Sequence, residues 1–512
     1  MQSKETLMVF NTDLTANLMA VVPEIALVIL GIIVLGLDLY SPESRRGQVG
    51  YWAGFGLIGV AVANLFAGTP ETLEEQLVLG GMLRHDDFTQ IFRTMSYVAA
   101  ALTCFIAMGD RRLRYKGEFY LIIIVATMGA SLMSGAADLV MVFLSLETLS
   151  ISLYALAGFV RDDDRSAESG LKYFLLGSFA SAFTLYGFSL LYGFTGQTNI
   201  YLIGQALAAG AINEVPVLLA MLMVTVGFGF KISAVPFHFW TPDVYEGAPT
   251  AMTAYVSVAS KAVSFALLLR FLLAVFPPSG LVTLDGVETI IDYSDFWVSL
   301  TSVLAVITMT LGNVLALMQR NIKRLLAYSS IAQAGYTLIG VAAIATTDAG
   351  DGAASVAFYM FMYVLTNILA FGCVIVFANA TGSETIADFA SLGRRNMWLA
   401  IFLTIALLSL AGIPPAAGFV GKFLLFRVAI DAGLIWLTVV GVLNSIIALY
   451  YYLVVIKVMF VDPNPQEDEA IALPRDYAWV LGATAVGVLL LGTILAQPFI
   501  AWASEAGLDL FL

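Results

Sequence analysis

Three lysines stand inside apolar runs: Lys231 in GFGFKISAVP, Lys261 in SVASKAVSF and Lys422 in AGFVGKFLLF. A carboxylate, Glu147 in FLSLETLSISL, stands in a fourth. A charged lysine at the centre of a lone membrane helix costs about 2.5 to 3.5 kcal/mol on insertion scales, so each demands a partner or a hydrated cavity. Burial favours the neutral amine and a nearby carboxylate restores the ammonium, which makes a Glu/Lys pair a two-position switch for a proton. Moving Glu147 away from Lys231 is expected to send that proton toward Lys261. One charge crossing 100 mV involves about 2.3 kcal/mol, a scale such a switch can match.

His238, one of two histidines, follows Pro236 and lies between Lys231 and Lys261, where an imidazole can bridge them. The plain alternative is an interfacial histidine at a helix end, and for each lysine a static ion pair between helices. Four such ionisable groups in one chain favour a proton or cation path. Tyr328, Ser329, Ser330, Gln333, Tyr336 and Thr337, with Tyr363, Thr366 and Asn367, are suited to hold water between Lys261 and Lys422, or to act as interhelical glue. Glu24, Asp38 and Asp138 fall nearer span ends, and His85 and the run Arg161 to Arg165 read as solvated loop.

These groups need a membrane scaffold. Of 512 residues 60% are hydrophobic and 12% charged, against about 25% charged in a soluble domain. The net charge of -13 argues against nucleic acid as a partner. Cys104 and Cys373 lie in apolar runs away from any Cys/His cluster, so neither a disulfide framework nor a metal site is expected. No dinucleotide glycine fingerprint, P-loop, zinc-ligand spacing or Ser/His/Asp pattern rises above background.

Apolar stretches predict an all-α polytopic membrane protein with about fourteen transmembrane helices, near 18–39, 51–68, 89–109, 119–134, 137–159, 172–195, 215–238, 252–275, 297–317, 323–345, 354–379, 397–430, 434–460 and 477–499. The first is read as a retained helix and not a cleaved signal. At about 1.5 Å per residue, Glu147 and Lys261 fall near the middle of a bilayer of about 30 Å. The seventh span carries Gly227, Gly229 and Pro236, and the twelfth runs through AGIPPAAG at 411–418, so both read as broken helices.

The breaks are five spans apart and close two five-helix blocks, spans 4–8 and 9–13. An odd repeat length inverts the second copy, the usual build of secondary transporters. The chain thus divides into a three-helix segment (1–115), a first repeat (116–276), an inverted second repeat (295–461) and a C-terminal helix (470–512). Lys and Arg gather in or beside the odd-numbered connections, while those at 197–214 and 276–296 have none. By the positive-inside rule both termini are expected on the external side.

The stretch KISAVPFHFWTPDVYEGAPT, then Lys261, then LLSLAGIPPAAGFVGKF, resembles the antiporter-like subunits of proton-pumping NADH:quinone oxidoreductase, respiratory complex I. The likeness runs from the Glu-bearing fifth span to the thirteenth. It is nearest the N-type branch, because Lys422 stands where the M-type carries glutamate and no long lateral helix of the L-type follows. The resemblance implies that Glu147 and Lys231 are the family's Glu/Lys pair, His238 its bridging histidine, Lys261 its central lysine and Lys422 its exit lysine. It implies no redox cofactor in this chain, with NADH, FMN, iron-sulfur clusters and quinone held by partner subunits. It further implies K-type and M-type neighbours, surrounding lipids and a bacterial plasma membrane. Two rivals stand beside it: a multi-subunit cation/proton antiporter and a structural membrane spacer.

Overall fold

The structure, a computed structural model, describes residues 11–209, 214–278, 293–347, 349–465 and 467–511. Most of the connection at 276–296 lies outside them. Among the described residues eleven helices are long and apolar enough to cross a membrane. These are α1 (Val22–Tyr40), α3 (Asp87–Ala107), α4 (Gly117–Ser134), α5 (Leu139–Ala157), α6 (Asp164–Thr195), α7 (Glu214–Ile232), α9 (Thr250–Val275), α10 (Ser294–Ala316), α11 (Ile322–Ala343), α12 (Ala349–Thr381) and α15 (Ile435–Phe460). A twelfth span is made if α16 (Arg475–Leu491) and α17 (Ala496–Leu508), bent by 74° at their junction, count together. Two apolar helices are shorter, α2 (Val49–Leu65) and α13 (Met397–Ala411). Two further helices matter to the site, α8 (Trp240–Gly247) and α14 (Ala417–Asp431).

Helices dominate because a chain in hydrocarbon must satisfy every backbone N–H and C=O within itself. Phe55, Phe179 and Ile32 point outward and are exposed, as a lipid-facing surface requires. The centre holds α9, α11 and α12, which are almost wholly buried. Helix α12 touches α3, α9, α11, α13, α14, α16 and α17, so the bundle is built around it.

One short antiparallel pair, Leu77–Val78 with Leu83–Arg84, departs from the purely helical expectation. It orders the connection between α2 and α3 and carries the sequence Arg-His-Asp that had read as solvated. The opposite holds: Arg84, His85 and Asp86 are buried. Arg270 near the end of α9 grips the Asp86 carboxylate with two nitrogens at 2.8 and 2.9 Å, and Arg84 Nε lies 2.9 Å from it. Arg84 also donates to the backbone oxygen of Asp509 at 2.5 Å, which ties down the C-terminal end. Burial alone would raise the Asp86 pKa, but the guanidinium groups of Arg270 and Arg84 hold it well below the usual carboxylate range. Burial, reinforced by Arg93, pushes the His85 imidazole below its ordinary value. Glu24 pairs with Arg93 at 3.0 Å and accepts from Ser131 at 2.6 Å, which makes it a static brace.

Candidate functional site: a buried lysine axis

Lys231 is the penultimate residue of α7. That helix stops where Ser233 takes a left-handed backbone with φ 63° and Ala234 N–H turns back to Gly229 O at 2.8 Å. The indole of Trp240 donates to Phe230 O at 3.0 Å and fixes the returning chain. The break therefore opens beside the lysine. Lys231 is 3% exposed, and its Nζ has no hydrogen-bond partner among the described residues. Its nearest company is aromatic: the rings of Tyr154, Tyr173 and Phe230 lie 5.8, 5.9 and 5.9 Å from the nitrogen. Such faces stabilise an ammonium by their quadrupoles while leaving all three N–H donors unspent.

Glu147, expected beside Lys231, makes no ion pair with it. The carboxylate accepts from Ser181 of α6 and is only half-buried, near the outer surface of this chain. An acid that is not ion-paired to the lysine suits a switch better than a locked pair would. His238 sits in the break, buried, with its ring 4.6 Å from that of Phe239 and its Nδ1 without a hydrogen bond among the described residues. No direct hydrogen bond joins it to Lys231 or Lys261, so the expected bridge is not a bonded one here.

Lys261 follows a single π-helical turn, Val256–Ser260, that the residue pattern did not signal. Such turns shift the face that a helix presents and gather at functional sites. Lys261 is 1% exposed and donates to Ser330 twice, to its backbone oxygen at 2.9 Å and to its Oγ at 2.5 Å. The same Oγ is 3.2 Å from the Tyr245 hydroxyl. Ser330 thus joins α8, α9 and α11 in one polar knot.

Of the polar side chains expected between Lys261 and Lys422, Ser329, Ser330, Gln333, Tyr336 and Thr366 bond across helices, while Tyr363 Oη and Asn367 Nδ2 have no hydrogen-bond partner among the described residues. Gln333 accepts from the Tyr359 hydroxyl and donates to Leu410 O at 3.1 Å and to the Tyr452 oxygen at 3.3 Å. Ser329 shares a hydrogen bond with the same Tyr452 hydroxyl. Thr366 and Ser409 pair at 3.0 Å. Tyr328 is instead partly exposed, and Thr337 bonds back to its own helix at Gln333 O. The contributions of Tyr154, Tyr173, Tyr359 and Tyr452 went unread, because a tyrosine in an apolar run looks like any other core aromatic.

The axis ends at the second break. Helix α13 closes with Gly412 in the left-handed region at φ +85°, its N–H bonded to Leu408 O and Ser409 O at 3.0 Å each. This leaves Ala411 O free to accept from Lys422 Nζ at 3.0 Å, so the cation sits on the negative end of a half-helix. The ring of Tyr336 lies 4.7 Å from the same nitrogen. A Cβ at Gly412 would meet Lys422 Cδ at 2.9 Å, so this close approach requires glycine.

Residues 136–448 match the family described as NADH:quinone oxidoreductase/Mrp antiporter, transmembrane. An NADH-quinone oxidoreductase subunit N of Trichlorobacter lovleyi is 42% identical over 94% of this chain and 95% of its own length. The chain belongs to this antiporter-like family. Among solved structures, a chain of respiratory complex I from Thermus thermophilus with bound aureothin is 30% identical, with a TM-score of 0.75, and the match covers 94% of this chain and 99% of that one. A chain of the Mrp complex from Dietzia sp. shares the fold with a TM-score of 0.79 at 20% identity, over 98% of each chain.

This member of the family also buries a cation that its sequence places at the very start of an expected span, 323–345. Lys323, at the start of α11, is 2% exposed and donates to Ala248 O at 2.9 Å, with Glu384 Oε1 at 3.2 Å. It lines a polar cavity of about 710 Å³ together with Asp110, Arg111, Arg112, Glu246 and Thr250. On α11 Lys323 precedes Ser330 by two helical turns, about 10 Å of rise.

Proposed function

We propose that the chain is a proton-translocating membrane-arm subunit of an NADH:quinone oxidoreductase, of the N type. A proton path runs through Glu147, Lys231, His238, Lys261 and Lys422 and is driven by quinone reduction in neighbouring chains. The single observation that carries this reading is a row of three lysines, each at most 4% exposed and none ion-paired among the described residues. A structural spacer would pair such charges, since a buried lysine is tolerated chiefly when neutralised. Here two of them instead rest on neutral oxygens and one on aromatic faces, arrangements a proton can leave and rejoin.

Counting α2, the α13–α14 pair and the bent α16–α17 pair with the eleven long helices supports fourteen spans. Both expected breaks, after α7 and after α13, fall at equivalent points five spans apart, which supports inverted repeats over 116–276 and 295–461. The basic connections then face the cytoplasm of a bacterial plasma membrane, with both termini external. The cavity lined by Lys323 opens among those basic connections and supplies proton uptake toward Ser330 and Lys261. NADH, FMN, iron-sulfur clusters and quinone belong to partner subunits, with K-type and M-type chains alongside. The 42% identity to a relative named subunit N, against 20% to the Mrp chain, favours this reading over a cation/proton antiporter.

Lys231→Ala in the assembled complex tests it. Proton pumping linked to NADH oxidation should fall sharply and turnover with it; unchanged pumping and turnover in an assembled variant would refute the role.

A further inference from the structure

We propose that a second site, apart from the lysine axis, holds the phosphate of an anionic phospholipid. It is a cavity of about 280 Å³ where four helix ends converge: the start of α2, the end of α3, the end of α12 and the start of α16. Arg111 and Arg114 line its polar mouth, and among the described residues neither has a carboxylate in ion-pair contact. Their neighbour Arg112, by contrast, is engaged by Asp163 at 3.0 Å. Two guanidinium groups at one cleft, of which Arg111 also borders the 710 Å³ cavity beside Lys323, suit a single phosphodiester, which each can bind through paired N–H donors.

The inner wall is apolar, formed by Phe105, Val376 and Val480. A polar mouth over an apolar wall fits a headgroup with its acyl chains and does not fit a free ion. Depth argues the same way. Trp52, Tyr115 and Trp479, each next in sequence to a lining residue, are 58%, 55% and 79% exposed. Large amphipathic rings exposed at helix ends mark the headgroup level of a bilayer. On the topology proposed above, this end faces the cytoplasm, whose leaflet carries anionic lipid.

One carboxylate opposes the anion. Asp476 also lines the cleft, where it accepts from the Tyr51 hydroxyl at 2.8 Å. That gives the proposal a signed test, since removing the acid should tighten the site while removing either arginine loosens it.

The measurement is native mass spectrometry of the full chain, delipidated in detergent and titrated with phosphatidylglycerol, phosphatidylcholine or inorganic phosphate. One phosphatidylglycerol per chain is expected at low occupancy, with phosphatidylcholine much weaker. Arg111→Gln with Arg114→Gln should weaken it about twenty-five-fold, roughly fivefold for each arginine. Asp476→Asn should strengthen it several-fold, and Val480→Trp, which fills the apolar wall, should expel the lipid. Equal retention in the double arginine variant, or displacement by inorganic phosphate alone at equal concentration, would overturn the proposal. Arg427→Gln, which removes an exposed arginine already paired with Asp351 and Asp431, is the control and should change nothing.

Discussion

At the scale of single residues, the account turns on what each lysine rests against. Among the described residues Lys261 bonds only to Ser330, so Ser330→Ala removes a charge-assisted hydrogen bond valued at about 1.5 to 3 kcal/mol. The backbone oxygen of Ser330 remains, and the complex should assemble. Proton pumping in sealed vesicles is expected to drop several-fold, and a rate equal to wild type would show that the knot is idle. Gly412→Ala imposes about 1–2 kcal/mol of left-handed strain and drives a methyl group onto Lys422. Pumping should suffer more than thermal stability does, which parallel Tm and pumping measurements would reveal. The lysines themselves were legible in the sequence because a charge in an apolar run has no cheap explanation. Their surroundings were not: nothing in the letters tells that Tyr154 and Tyr173 face Lys231, or that Glu147 leans toward Ser181.

At the scale of elements, the two breaks were visible as glycine and proline inside apolar runs, and both occur where expected. The π-helical turn before Lys261 was not, since Val256–Ser260 carries no glycine or proline to mark it. The buried Asp86 lock was missed for a related reason. Its partner Arg270 lies 184 residues away, and only the fold reveals that a stretch dense in charge has gone inside. Arg270 within SFALLLRFLL was the available signal. Breaking the lock by Asp86→Asn leaves two guanidinium groups buried without their anion and should cost about 3–5 kcal/mol, measured as lost thermal stability. The Asp86 pKa is depressed in the fold, so its contribution is present above the ordinary carboxylate range, near 4, and fades as pH falls toward the folded value. Wild-type Tm should therefore decline in acid more steeply than that of the Asp86→Asn variant.

At the scale of the whole molecule, topology and function are one claim, because a proton path has direction only if the chain has sides. Cysteine scanning can check this cleanly, since the natural Cys104 and Cys373 are both buried. A cysteine replacing Arg320 should react with an impermeant maleimide only from the cytoplasmic face, and one replacing Gln197 only from outside; the reverse pattern would invert the proposed uptake and release. The account's centre is the buried lysine axis, and Lys261 is its middle. The most direct measurement is proton pumping and NADH oxidation, recorded together, in sealed vesicles carrying the assembled complex with Lys261→Met. A neutral side chain of similar length should keep the packing and abolish most pumping, with oxidation slowed in step. Pumping at the wild-type rate in that complex would contradict the account.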